Sequence, residues 1–191
     1  MGPRPDVVDR LSDSDAIMWR IEADPVLRSP ILAVALLDSS PGRDEVVAAF
    51  ARAAHEIPRL RRRVAPDGLL TGRLRWEEDP AFNPDAHVRV RRLSGRAGVD
   101  AALEVAAEDA AASFDPARPP WTATLVTGLQ GRRAVLALRF HHSITDGVGG
   151  VQLAGALFDP LDGDRRSPAQ PTATTTGSRP PVLRMAEDAG R

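Results

Sequence analysis

Two strand-length runs, WTATLVTGL at 121–129 and AVLALRF at 134–140, stand four residues apart across QGRR. So short a gap between apolar, β-prone runs leaves room for an antiparallel hairpin and little else, and any fold of this chain must be built around it. The second run is directly followed by HHSITDGVGG, residues 141–150, so the hairpin also delivers the most chemically suggestive stretch of the sequence to one end of a sheet.

Other elements follow from local signals. Leu11 precedes Ser12 and Asp15 in RLSDSDAIMWRIE, the pattern of a capped helix start with a hydrophobic staple, leading into Ala16, Ile17, Trp19 and Ile21. SPILAVALLD reads as a buried strand bounded by Pro30 and Asp38. From Gly42 to Ile57 the apolar positions Val46, Phe50, Ala53 and Ile57 recur at helical spacing, Asp44 and Glu45 favour the amino end, and Pro58 stops the helix. LRRRV, LLTGRLRWEE and HVRVRRL read as short strands separated by the turn clusters APDG and DPAFNPDA. Asp100 to Phe114 is alanine-rich and helical until FDPARPP, and VQLAGALF after the histidines is a short helix. Helices thus alternate with strands, and the expected class is α/β, an α+β sandwich with a mixed β-sheet flanked by helices. Residues 1–159 form the expected domain. Residues 160–181, rich in Pro, Thr, Ser and Gly, read as a linker, and 182–191 as the first turns of another helix.

Composition narrows the chemistry. The chain has 191 residues, a formal net charge of −1 and neither cysteine nor tyrosine, and all 25 basic side chains are arginine. A thiolate nucleophile or metal ligand, a lysine Schiff base, a tyrosine acid and disulfides are excluded. The charge balance speaks against nucleic acid, and the arginine clusters RLRRRV and RVRRL are expected on solvated sheet faces. With no basic-then-apolar leader and no apolar run longer than ILAVALL, the expected location is cytoplasmic, with peripheral contact at a membrane or lipid droplet compatible.

Only four histidines occur, and two of them are adjacent, His141 and His142. Strand alternation puts Leu136, Leu138, Phe140 and His142 on one face and Ala137, Arg139 and His141 on the other. His142 would then project from the apolar face, where desolvation favours the neutral imidazole of a general base. Asp146 lies four residues on and could hold the loop or orient a ring. Gly147, Gly149 and Gly150 allow a tight turn and close ligand approach. A metal site of His141, His142 and Asp146 is disfavoured because adjacent strand residues point to opposite faces. Ser143 lacks a nucleophile elbow. His55 and His87 are expected as surface or packing residues.

HHSITDG has the HHxxxDG form of the acyltransferase superfamily that includes chloramphenicol acetyltransferase-like enzymes and the condensation domains of peptide synthetases. With RLSDSDAIMWRIE, IPRLRRRV and FDPARPPWTATLVTGLQGRRAVLALRFHHSITDGVGGVQL, the chain resembles the amino-terminal part of the bacterial wax ester synthase/diacylglycerol acyltransferase family. The resemblance implies a chloramphenicol acetyltransferase-like half. It also implies transfer of a fatty acyl group from acyl-coenzyme A, a substrate and not a cofactor, to a long-chain alcohol or diacylglycerol. In that reaction His142 is the base, Asp146 fixes the loop and His141 supports the strand end. Family members are about twice as long, with the active-site channel between two halves of similar fold, so the carboxy-terminal half is an expected partner and self-association is compatible. A condensation-type enzyme using carrier-bound acyl groups, a noncatalytic acyl-binding half and a metal hydrolase are the competing classes.

Overall fold

A computed structural model of the chain describes residues 9–144 and 155–157, with backbone only at 95 and 96. The expected linker at 160–181 and helix start at 182–191 lie outside the described residues, as does most of VQLAGALF, of which 155–157 are helical.

Helix α1 (Asp13–Ile21) begins where the cap pattern places it. The Ser12 hydroxyl accepts the Asp15 N–H at 3.1 Å and donates to the Asp15 carboxylate at 2.7 Å. Strand β1 (Ile31–Leu37) leads to α2 (Arg43–Glu56), which buries Val46, Phe50, Ala53 and Ala54 at the expected spacing. A 3-10 turn carries the chain into β2 (Arg62–Pro66), which among the described residues pairs only with β3 (Leu74–Glu78) as a separate two-stranded sheet. Strand β4 (Val88–Ala97), α3 (Val99–Ala110), β5 (Trp121–Leu129) and β6 (Ala134–Phe140) complete the fold.

The main sheet has the order β1-β6-β5-β4. The predicted hairpin is its centre: β5 and β6 are antiparallel from Trp121 opposite Phe140 to Val126 opposite Val135. Strand β1 flanks β6 antiparallel, whereas β4 runs parallel to β5 across the α3 crossover, so the sheet is mixed. Its faces are covered by different helices. Phe50 and its neighbours on α2 pack with Trp121, Leu125, Leu136 and Phe140, whereas Ala102 and Val105 of α3 pack with Val126, Leu129 and Val135. Trp121 is held in place by stacking on Phe50 at 4.7 Å and by its indole N–H donating to the Leu60 carbonyl at 2.8 Å.

Three expectations need correction. ILAVALL is not a buried strand: among the described residues β1 is the sheet edge, and Leu32, Val34 and Leu36 are 38%, 41% and 49% exposed. Its alternate residues Ile31, Ala35 and Leu37 pack against the α2 core. An apolar run cannot report whether both of its faces meet a neighbour. Second, residues 69–73 of LLTGRLRWEE are a turn and β3 starts at Leu74. Third, α3 ends at Ala110, four residues before Phe114. Its last carbonyls turn to arginines from elsewhere, those of Asp109 and Ala112 accepting from Arg139 at 2.6 and 2.8 Å and that of Ala111 from Arg28 at 2.6 Å.

Candidate active site

The two histidines part company because β6 stops at Phe140, opposite Ile31 and Trp121 at the ends of their own strands. The His141 N–H still donates to the Pro120 carbonyl at 3.0 Å, and the Ile144 N–H closes a turn onto the His141 carbonyl at 3.0 Å. His141 keeps the strand alternation and lies on the Arg139 side, with its ring against Trp19 of α1 at 4.9 Å and Phe114 at 6.0 Å. It is only 2% exposed. His142 leaves with the turn and is exposed.

The expectation that His142 sits on a desolvating apolar face is therefore corrected. Alternation holds only while the ladder holds, and the ladder ends two residues too early. Burial instead acts on His141, whose imidazole is held below its ordinary value. Desolvation is the main cause, a backbone hydrogen bond at Met18 opposes it, and the charge of His142 adds to the lowering. The tautomer of His141 follows from its partners. Ser143 places its hydroxyl 2.8 Å and its backbone N–H 3.1 Å from Nδ1. An N–H can only donate, so Nδ1 is the acceptor, and the proton of the neutral ring sits on Nε2. Nδ1 is thus committed to structure, and the ring as a whole is buried between Trp19 and Phe114. Ser143 is itself buried, and its hydroxyl serves this same contact.

Beneath the turn lies a charged cluster that sequence reasoning missed. Arg139 is 5% exposed, stacks over Phe114 at 4.0 Å and caps the α3 carboxyl end. Glu22, at the carboxyl end of α1, is 8% exposed and lies 3.2 Å from Arg28. That contact is an ion pair without hydrogen-bond alignment: Glu22 Oε1 and Arg139 Nε have no hydrogen-bond partner among the described residues. Burial raises the Glu22 carboxyl above its usual range, against the lowering effects of the Phe114 backbone, Arg28 and Arg139. The cluster joins α1, the segment after α3 and the end of β6, and so fixes the wall on which His141 rests. The one sequence signal was an arginine inside the apolar run AVLALRF.

The other predicted positions divide similarly. Asp146, Gly147, Gly149 and Gly150 lie outside the described residues. His55 is exposed on α2, while His87 is a packing residue, stacked on Trp121 at 4.3 Å with Nδ1 2.8 Å from the Trp121 carbonyl. The arginines of RLRRRV are neutralised: Arg62 meets Asp9 and Glu78 at 2.8 and 2.9 Å, Arg63 meets Glu77 at 2.7 Å, and Arg59 covers Trp76.

Comparison with known proteins gives this geometry its context. A Mycobacterium tuberculosis H37Rv protein provisionally named diacylglycerol O-acyltransferase Rv2484c is 41% identical over 173 residues, which is 89% of this chain and 35% of that protein. The O-acyltransferase WSD of Acinetobacter baylyi is 31% identical over 78 residues, covering 41% of this chain and 17% of that protein. The chain spans about a third of the length of the first of these relatives. Among solved structures, the starter condensation domain of rhizomide synthetase RzmA superposes with a TM-score of 0.63 at 19% identity, covering 80% of this chain and 38% of that one. The wax ester synthase/diacylglycerol acyltransferase of Marinobacter aquaeolei VT8 superposes with a TM-score of 0.57 at 21% identity, covering 76% and 37%. Both share the fold. Residues 11–189 match the wax ester synthase/diacylglycerol acyltransferase catalytic domain, nearly the whole chain, and the protein belongs to that family.

Proposed function

We propose that this chain supplies the catalytic base of an O-acyltransferase that moves a fatty acyl group from acyl-coenzyme A to the hydroxyl of a long-chain alcohol or a diacylglycerol. The observation that carries this reading is the division of labour in the histidine pair. His141 is buried with Nδ1 held by Ser143, whereas His142, one residue on, is exposed with no hydrogen-bond partner among the described residues. Only His142 is available to a substrate.

The chemistry needs one such group. A thioester is already a competent electrophile, whereas an alcohol becomes a good nucleophile only as its proton is withdrawn, a service typically worth about 10²–10⁴-fold. In the proposed step His142 takes the hydroxyl proton as the oxygen attacks the thioester carbonyl. When the tetrahedral intermediate collapses, the carbon–sulfur bond breaks and the coenzyme A thiolate leaves with the proton from the imidazolium. This chain has no cysteine, so no acyl-cysteine forms on it, and the reading assigns it the base of a direct transfer between two bound substrates. Asp146 would fix the loop after His142, with Gly147, Gly149 and Gly150 giving the backbone room beside the ligand. A structure of the RzmA starter condensation domain is in complex with C8-CoA, so a fold of this kind accommodates an acyl-coenzyme A.

Because this chain corresponds to a third of its longer relative, the proposal places the two substrates between this domain and the rest of the enzyme. The test is release of free coenzyme A by the full-length protein with an acyl-coenzyme A and a long-chain alcohol or diacylglycerol. His142→Ala should abolish turnover without loss of folded protein, and residues 1–191 alone should be inactive until the remainder is supplied. Turnover retained by folded His142→Ala would overturn the assignment of the base. Robust turnover by the isolated domain would overturn the need for the second part.

A further inference from the structure

Leu69 and Leu70, at the apex of the β2–β3 hairpin, are 103% and 99% exposed. No other described residue leaves so large an apolar side chain so open, and here two stand in succession. The apex is not slack. Gly68 and Gly72 turn the backbone at φ +85° and +62°, the Asp67 N–H donates to the Arg73 carbonyl at 2.8 Å, and the Thr71 hydroxyl bonds the Asp67 carbonyl. Helix α1 braces the base: Arg20 donates to the Gly72 carbonyl at 2.5 Å, and Arg10, just before the helix, pairs with Asp67 at 2.6 Å.

Between α1 and the hairpin lies a cleft of about 520 Å³ whose charged lining is three arginines, Arg10, Arg20 and Arg73, against one carboxylate, Asp13. Arg20 and Arg73 have no carboxylate partner among the described ion pairs. Ile17, 58% exposed, adds an apolar side chain to the same cleft. We propose that this hairpin tip is a contact with an anionic phospholipid surface, Leu69 and Leu70 entering the acyl boundary while Arg20 and Arg73 meet the headgroup phosphates.

Shape and charge together favour that occupant. A protein partner of standard size needs about 800 Å² of matched surface per side, whereas two fully exposed leucines at the apex of a turn, with Arg10, Arg20 and Arg73 lining the cleft beside its base, offer a point of insertion. Guanidinium matches phosphate oxygens through paired hydrogen bonds, and its apolar stem lets it stay at headgroup depth. The inference stands on the hairpin and does not depend on the acyl-transfer reading.

Co-sedimentation of the full-length protein with vesicles of phosphatidylcholine, with and without phosphatidylglycerol, tests it without reference to turnover. The wild type should bind the anionic vesicles. Leu69→Ser/Leu70→Ser should reduce the partition coefficient by about tenfold or more with an unchanged melting temperature, because side chains this exposed support no packing. Arg20→Gln and Arg73→Gln should each reduce it by about fivefold at low salt, and added salt should abolish the difference. Undiminished vesicle binding by the double leucine variant would overturn the proposal. So would a fall in its melting temperature or a change in its hydrodynamic mass with vesicle binding intact, since the tip would then be packed on protein.

Discussion

Replacing each histidine of the pair by alanine should give opposite results in an unfolding experiment. His141→Ala removes a buried ring packed on Trp19 and Phe114, for which the cost is about 2–4 kcal/mol by analogy with other large-to-small core changes. It also leaves the buried Ser143 N–H without its partner, at about 1–3 kcal/mol before local water returns some of it. The sum expected is about 3–6 kcal/mol, a large share of the ~5–15 kcal/mol that holds an ordinary domain together. His142→Ala touches an exposed side chain and should stay within about 0.5 kcal/mol. Urea unfolding followed by the fluorescence of the three tryptophans reads both, with equal denaturant slopes as the condition for comparing midpoints. His141→Asn should recover about 2 kcal/mol, because its side-chain oxygen can accept the Ser143 N–H as Nδ1 does. A loss below about 1 kcal/mol for His141→Ala, or a larger loss for His142→Ala, would refute the assignment of His141 as the structural member.

The pH dependence of stability follows from the same burial. His87 and His141 are both held below the ordinary imidazole value of 6.5, mainly by desolvation, so the unfolded chain binds more protons just below that pH and stability falls as pH drops through it. Glu22, raised by burial, acts with the opposite sign above its ordinary 4.5, so the clean comparison is wild type against His87→Phe, whose urea midpoint should fall less steeply on acidification. Equal slopes would refute the contribution of His87. Gly128 has φ +90°, and a β-carbon there would lie 2.3 Å from the Leu93 carbonyl oxygen on β4. Gly128→Ala should therefore cost about 3 kcal/mol or more in the same assay, and a near-neutral result would show that the β4–β5 junction yields easily.

What could be read directly from the chain was whatever rests on short-range signals. The β5–β6 hairpin follows from two β-prone runs and a four-residue gap, α2 from its apolar spacing and Pro58, and the start of α1 from Ser12 and Asp15, because each of these signals lies within a few residues of the structure it specifies. The site was legible as a stretch, His141 to Gly150, but the roles within its first two residues were not. Those depend on where the ladder stops, and β6 stops at Phe140 because Ile31 and Trp121, one from each flanking strand, run out as partners there. The position of β1 at the sheet edge was equally invisible, since ILAVALL reads the same whether one face or two are covered. The Glu22, Arg28, Phe114 and Arg139 cluster draws on three well-separated stretches of the chain, around residues 22–28, 114 and 139. Only the tertiary fold brings them together, and burial then turns ordinary surface residue types into a low-dielectric support under His141.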